Sequence, residues 1–399
     1  MLEKFFSRAL PRLNKSPHFA DLDAFSVFIS KQEYSWLGCR RHILRLSRVL
    51  NAATMTPGGH ISCEDLHSFF IGWPAKGHRG TERLFRDFLL EHGRLIINNV
   101  CDPRFKLKQQ YINRLRELRG LAPATLTYIN WSLADFLTKT LQSNETVADL
   151  NADKIECYFL QRRPQLARRT FHHIVGAVRN FLLYGYQCGT LLHELHHFEL
   201  PRNFRFEQPP RALPFVQIEA MLESFDRSTE VGRRDYVMLH LLALYGLRPG
   251  EVSSLTKNSV NWQTKTLTIY QSKTQSTLQL PLSDGTLQIL QNYIAMRRSS
   301  NYPQLFLRGQ APYTPLSAPL ISMRFKIYAR RTGLPIGNAS AYALRHSFAM
   351  RLLAAGVGIE TIGDLLGHRN SSSTSAYLRI QSDMLRDIAL DVPGREIQR

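Results

Sequence analysis

Between Leu22 and Ile96 apolar residues recur at spacings of three and four. In FSVFISKQ, CRRHILRLSRVLNAA, ISCEDLHSFFIGW and TERLFRDFLLEHGRL this spacing puts them on one face of a helix. The order returns from Tyr111 in YINRLREL, ATLTYINWSLADFLTKTL, ADKIECYFLQRR and ARRTFHHIVGAVRNFLLYGYQCGTL. Two four-helix sets in series are therefore predicted. Their match is tightest where Arg86, Asp87, Phe88, Leu89 and Leu90 meet Arg179, Asn180, Phe181, Leu182 and Leu183, which suggests an internal repeat.

The pattern breaks at PRNFRFEQPPRALP, residues 201 to 214, where prolines and lost periodicity indicate an interdomain linker. Beyond it lie a helix from Phe215 to Phe225 and an apolar helix from Asp235. TLTIYQSKTQSTLQLPL then alternates apolar and polar residues on either side of a polar turn, which predicts a hairpin. Helices resume over Leu287 to Met296, Ile321 to Arg331, Ala343 to Ala355 and Ile359 to Leu366. The expected fold is mostly α with a small antiparallel sheet in an α+β C-terminal region. The expected domains are an N-terminal helical domain at 1–104, a helical domain at 105–205, a linker at 206–213 and a C-terminal domain at 214–399. A chain of 399 residues is long enough for two or three such cores.

Charge narrows the partners. Lys and Arg number 51 against 32 Asp and Glu, a formal net charge of +19, so the surface should attract a polyanion. DNA, RNA and an anionic membrane all meet that condition. A membrane span is not expected, because the most apolar stretch, YVMLHLLALYGL from Tyr236, is short and carries His240. MLEKFFSRALPRLNKS has no long apolar run before a small-residue cleavage site, so no secretory signal is read. Cys39, Cys63, Cys101, Cys157 and Cys188 form no CxxC pair and suit reduced, packed thiols in a cytoplasm.

One motif competes for attention. HELHH, residues 193 to 197, has the spacing with which two histidines on a helix bind zinc while the Glu acts as base. Phe198 and Pro201 cut that helix short and no third ligand motif follows, so a basic helix end able to approach phosphate is the expected role.

A stronger constellation lies further on. Arg248 and Glu251 share LYGLRPGEVSSL, and Lys273 stands at the hairpin tip. Arg345, His368 and Tyr377 fall within ALRHSFAMRLLAAGVGIETIGDLLGHRNSSSTSAYLRI. Two guanidiniums can grip the non-bridging oxygens of a phosphodiester. A lysine can protonate a leaving alkoxide, and a histidine can donate a hydrogen bond to the phosphorane. A tyrosine can attack phosphorus and hold the strand covalently. None of this needs a metal or a nucleotide cofactor. No Gly-rich phosphate loop or paired-carboxylate metal motif stands against it.

In that order, LRPGE, SKTQSTLQLPL, YALRHSFA and LLGHRNSSSTSAY resemble the tyrosine recombinase (phage integrase) family over residues 213 to 390. Residues 105 to 205 are similar to that family's core-binding domain. The resemblance implies that Arg248 and Arg345 are the paired arginines, with Glu251 bracing the first. It further implies that Lys273 is the hairpin lysine, His368 occupies the His or Trp position and Tyr377 is the nucleophile. Tyr342 stands where the family usually has His, and a phenol, with a reference pKa near 10, is a poorer base near neutral pH. His346 and Ser347 are expected to serve structure, Ser347 as a small packing residue.

The implied activity is site-specific DNA strand exchange through a 3′-phosphotyrosyl intermediate for a mobile genetic element, as an integrase or transposase. The implied partners are double-stranded DNA, a homotetramer on two DNA sites and accessory DNA-bending or directionality proteins, in a bacterial cytoplasm at the nucleoid. Residues such as DMLRDIALDV would dock on a neighbouring protomer, and the first hundred residues would take further DNA or protein contacts. The alternatives are a monomeric topoisomerase-like DNA-relaxing enzyme, a catalytically silent DNA-binding module and, through HELHH, a zinc hydrolase.

Overall fold

The computed structural model describes residues 1–6, 10–53, 55–96, 102–202, 211–271, 275–337, 339–367 and 374. Helices α1 (Leu2–Phe5), α2 (Leu10–Leu13), α3 (Phe19–Ser30) and α4 (Trp36–Ala52) precede strand β1 (Ile61–Ser62), α5 (Cys63–Phe70), α6 (Ala75–Glu91) and strand β2 (Leu95–Ile96). The second predicted set is α7 (Lys106–Arg119), α8 (Pro123–Thr140), α9 (Ala152–Arg162) and α10 (Arg168–Gln187). The C-terminal region holds α11 (Phe215–Glu223), α12 (Glu230–Leu244) and α13 (Pro249–Ser254). Strands β3 (Val260–Asn261), β4 (Thr266–Gln271) and β5 (Ser276–Pro281) follow, then α14 (Asp284–Met296), α15 (Ala318–Arg331), α16 (Tyr342–Ala354) and α17 (Ile359–Leu366).

Two compact units interleave along the chain. One comprises Met1–Gly58, Gly72–Phe88 and Gln208–Arg399; the other comprises Gly59–Ile71 and Leu89–Glu207.

In the second unit α7 to α10 close over Leu107, Tyr111, Leu115, Leu133, Phe136, Phe181 and Leu182. Their boundaries follow local chemistry. Gly120, left-handed at φ 53°, ends α7, and Pro123 opens α8 where its missing N–H costs nothing. Asn151 caps α9 by accepting the Lys154 N–H at 2.9 Å. Ile61 and Ser62, expected to begin a helix, instead pair in parallel with Leu95 and Ile96, and Ser62 caps α5. HELHH follows the end of α10 in irregular backbone. Its histidines are therefore not set one helical turn apart, the geometry that the zinc reading requires.

In the first unit Phe25, Phe28, Phe85 and Phe88 stack edge-to-face and in parallel between α3 and α6. The C-terminal part folds around α12, whose residues Val237 to Ala243 are all buried. The predicted hairpin is β4 and β5, with Gln271 opposite Ser276 and Thr266 opposite Pro281; β3 adds a third antiparallel strand. Leu267, Ile269 and Gln271 point inward while Tyr270 is exposed, as a one-sided strand dictates. Asp235, fully buried, is neutralised by Arg234 and Arg324.

Of the cysteines expected to be packed, only Cys39 is buried; Cys63, Cys157 and Cys188 are free and exposed, and Cys101 lies outside the described residues. Cys63 and Cys157 are exposed on α5 and α9, so residue type alone does not decide their burial. Among the described residues no helix is long and apolar enough to cross a membrane.

Candidate active site

α12 ends at Leu244, and the chain turns through Gly246 at φ 62°. A Cβ there would stand 2.4 Å from Phe348 Cδ1, so both the backbone conformation and the space require glycine. The turn delivers Arg248 to the start of α13, with Pro249 as its first residue. Glu251, one turn on, accepts the Arg248 backbone N–H at 2.7 Å and, through its other oxygen, the Arg248 guanidinium.

Arg345 comes from α16 and is 4 % exposed. Its Nη1 donates to the Gly246 carbonyl at 2.8 Å and lies 3.8 Å from Glu251 Oε2, while Nη2 donates to the Leu366 carbonyl. The Glu251 carboxylate, itself 5 % exposed, is thus bracketed by two guanidiniums. Among the described residues one carboxylate thus faces two guanidiniums, a setting that favours an anionic ligand. The Arg248 side chain is 18 % exposed, and among the described residues Glu251 is its only partner, so Nε and Nη2 remain for such a ligand.

Leu366 closes α17, and Gly367 caps it in the left-handed conformation at φ 59°. The Gln271 side chain occupies the space that a Cβ on Gly367 would need, and its Nε2 lies 3.5 Å from the Leu366 carbonyl. The turn end of strand β4 therefore meets the end of α17. Lys273, His368 and Tyr377 lie outside the described residues, but the last described residue before Lys273 and the last before His368 touch each other. Thr374, 1 % exposed, is packed against α17, its Oγ1 lying 3.1 Å from where a Gly363 Cβ would stand.

The other expected residues fall as follows. Tyr342 opens α16, three residues before Arg345, and is 47 % exposed. The imidazole of His346 is held below its usual pKa by burial and then by the neighbouring Arg345 charge. Ser347 does more than fill space: its hydroxyl accepts the Leu213 N–H at 2.6 Å and donates to the Ala343 carbonyl at 3.0 Å, fixing the end of the linker to α16. Gln271 was missed by sequence reasoning. Its only signal is the inward position in the alternation Leu267, Ile269, Gln271.

A family model described as the phage integrase family matches residues 211–384. A putative integrase/recombinase of Sinorhizobium fredii, y4gC, is 38% identical over 191 residues, covering 47% of this chain and 98% of that protein. A second from the same organism, y4rF, is 25% identical over 431 residues, covering 99% of this chain and 96% of that one. Among solved structures, the Tn1549 transposon integrase in complex with transposon right-end DNA aligns over 71% of this chain and 99% of its own, with a TM-score of 0.55 and 17% identity.

Proposed function

Because the chain belongs to the phage integrase family of tyrosine recombinases, it is a site-specific DNA recombinase, and we propose that Arg248, Lys273, Arg345, His368 and Tyr377 form its active site, with Tyr342 at the usual His position. The observation that carries the assignment is the Glu251 carboxylate shared by Arg248 and Arg345, which sets two guanidiniums side by side against one carboxylate among the described residues. Family membership favours recombination over the DNA-relaxing and silent-binding alternatives.

In the proposed reaction the two guanidiniums hold the non-bridging oxygens of the scissile phosphate of a DNA duplex. The Tyr377 hydroxyl gives up its proton to solvent and its oxygen bonds to phosphorus as the P–O5′ bond breaks. Lys273 gives its proton to the leaving 5′-oxygen, and His368 donates a hydrogen bond to the phosphorane. The 5′-hydroxyl of a partner strand then attacks the 3′-phosphotyrosine and returns the tyrosine. One phosphodiester replaces another in each step, so no external energy source enters.

The modules proposed to act on DNA are 105–205 and 214–399, joined by the linker 206–213, with 1–104 as an added helical domain. Four protomers on two DNA sites and docking of DMLRDIALDV on a neighbour, a segment outside the described residues, belong to the same proposal, as do accessory DNA-bending or directionality proteins. The Tn1549 structure in complex with transposon-end DNA supports the choice of a mobile-element substrate.

The test is a suicide duplex, nicked beside the scissile position and tiled from DNA flanking the gene. A denaturation-resistant protein–DNA adduct is expected with the wild type and none with Tyr377→Phe. An adduct that persists in that variant refutes the nucleophile.

A further inference from the structure

Arg345 is aimed by backbone carbonyls. Its Nη1 donates to the Gly246 carbonyl at 2.8 Å and its Nη2 to the Leu366 carbonyl, so two bonds fix the plane of the guanidinium. Gly246 lies in the turn after α12, and Leu366 is the last residue of α17. Carbonyls at a helix C-terminus lack a partner within the helix and carry the negative end of its dipole, which suits them to a guanidinium. Where these two carbonyls stand decides where Arg345 points.

α17 has eight residues, too few to be stable alone, so its last carbonyl is placed by what packs on it. From one side Ile362 and Leu366 pack on Phe348 and Ala349 of α16. From the strand side comes Gln271, 2 % exposed, whose amide fills the space beside Gly367 and whose Nε2 lies 3.5 Å from the Leu366 carbonyl. That separation is at the long limit of a hydrogen bond, so the close fit of the amide on Gly367 holds the helix end as much as the bond does.

The residue type is the informative part. Leu267 and Ile269, the preceding inward positions of β4, are apolar and fully buried. The alternation calls for a third apolar side chain at 271. A buried carboxamide there costs stability unless its polar atoms find partners. A polar residue that breaks the local pattern at a buried point beside the candidate site marks a place where function overrides packing.

We propose that Gln271 is a positioning residue for strand cleavage: it holds the Leu366 carbonyl, and through it the Arg345 guanidinium, in register with a non-bridging oxygen of the scissile phosphate. It acts through Arg345 and not on DNA itself. The proposal rests on the reading that Arg345 holds that phosphate.

The test uses the full-length protein and the suicide duplex above, with the scissile group either the ordinary phosphate or a methylphosphonate, in which a methyl group replaces one non-bridging oxygen and removes the negative charge. The variants are Gln271→Leu and Gln271→Met, which supply the apolar side chain that the pattern calls for and remove the amide. Their thermal unfolding should lie at or above that of wild type. A guanidinium in register gains most from the charged phosphate, so each variant should form the adduct at least about tenfold more slowly than wild type on the phosphate and within about threefold of it on the methylphosphonate. Arg345→Ala is the control for the underlying reading and should show the same split more strongly. Slowing by the Gln271 variants that is equal on both duplexes, as a general loss of fold would give, or no slowing on the phosphate, overturns the role of Gln271 while the split of the control leaves the arginine reading standing. A control that slows both duplexes alike, or a wild type that forms no adduct on either, overturns the reading of the site and this proposal with it.

Discussion

Glu251 ties the candidate site together because its two carboxylate oxygens face two arginines that would otherwise repel each other. Glu251→Gln keeps the shape and one acceptor but removes the carboxylate that faces the buried Arg345 and the partly exposed Arg248. Loss of one partner from a buried ion pair costs about 3–5 kcal/mol. The variant should therefore unfold at a clearly lower temperature. It should also form the covalent adduct on the order of a hundredfold more slowly while still shifting DNA in a gel, since the surface charge that gives binding is untouched. Unchanged adduct formation would remove Glu251 from its bracing role. At this scale the sequence was partly legible. Arg248, Glu251 and Arg345 announce themselves because their side chains are rare in apolar contexts. The Gly246 and Leu366 carbonyls that hold Arg345 do not, because every residue has a carbonyl and only the fold selects two of them.

Helices and the hairpin were read well where one face is buried and the other is wet, as in α14, α16 and α17. Reading failed where length or context overrides periodicity. β1, two residues long, was absorbed into a helix, and HELHH has helical spacing but no helix. α12 is buried nearly all round and shows another consequence of its setting. His240 within it pairs with the Thr286 hydroxyl at 3.0 Å, and burial pushes its pKa down to about 4. His42 on α4 pairs with Thr81 and is pushed down to about 4 by burial and by the Arg45 and Arg83 charges. Both rings bind a proton more readily in the unfolded chain, where the ordinary value is 6.5. Stability from this source is therefore complete above pH 6.5 and falls as the pH drops towards 4. By pH 5 the loss approaches about 2 kcal/mol for each ring. Urea titrations at pH 7 and pH 5 should show a lower midpoint at pH 5, with a smaller difference in His240→Gln. An equal difference in that variant would assign the acid sensitivity elsewhere.

The whole molecule carries a net charge of +19, which bears on association rather than on folding. Binding of a recombination-site duplex should weaken roughly a thousandfold or more between about 50 and about 200 mM salt, as expected when six or more phosphates are neutralised. A shallow dependence in fluorescence anisotropy would mean that few of these cations touch DNA. Net charge and the doubled helical pattern were both visible from the sequence. The way the compact units interleave was not, because composition carries no record of which distant segments pack together.

An oxygen atom has two lone pairs. Those of the Leu366 carbonyl point towards Arg345 and Gln271, so a strand, a helix and the end of another helix meet at one atom, with up to 95 positions of chain between them. Such a meeting point has no local precursor and forms only after long loops have closed. During synthesis the arginine cage cannot exist until residue 366 of 399 has been made and has emerged from the ribosome. The unfinished chain therefore lacks the assembled arginine pair that is proposed to hold the DNA phosphate.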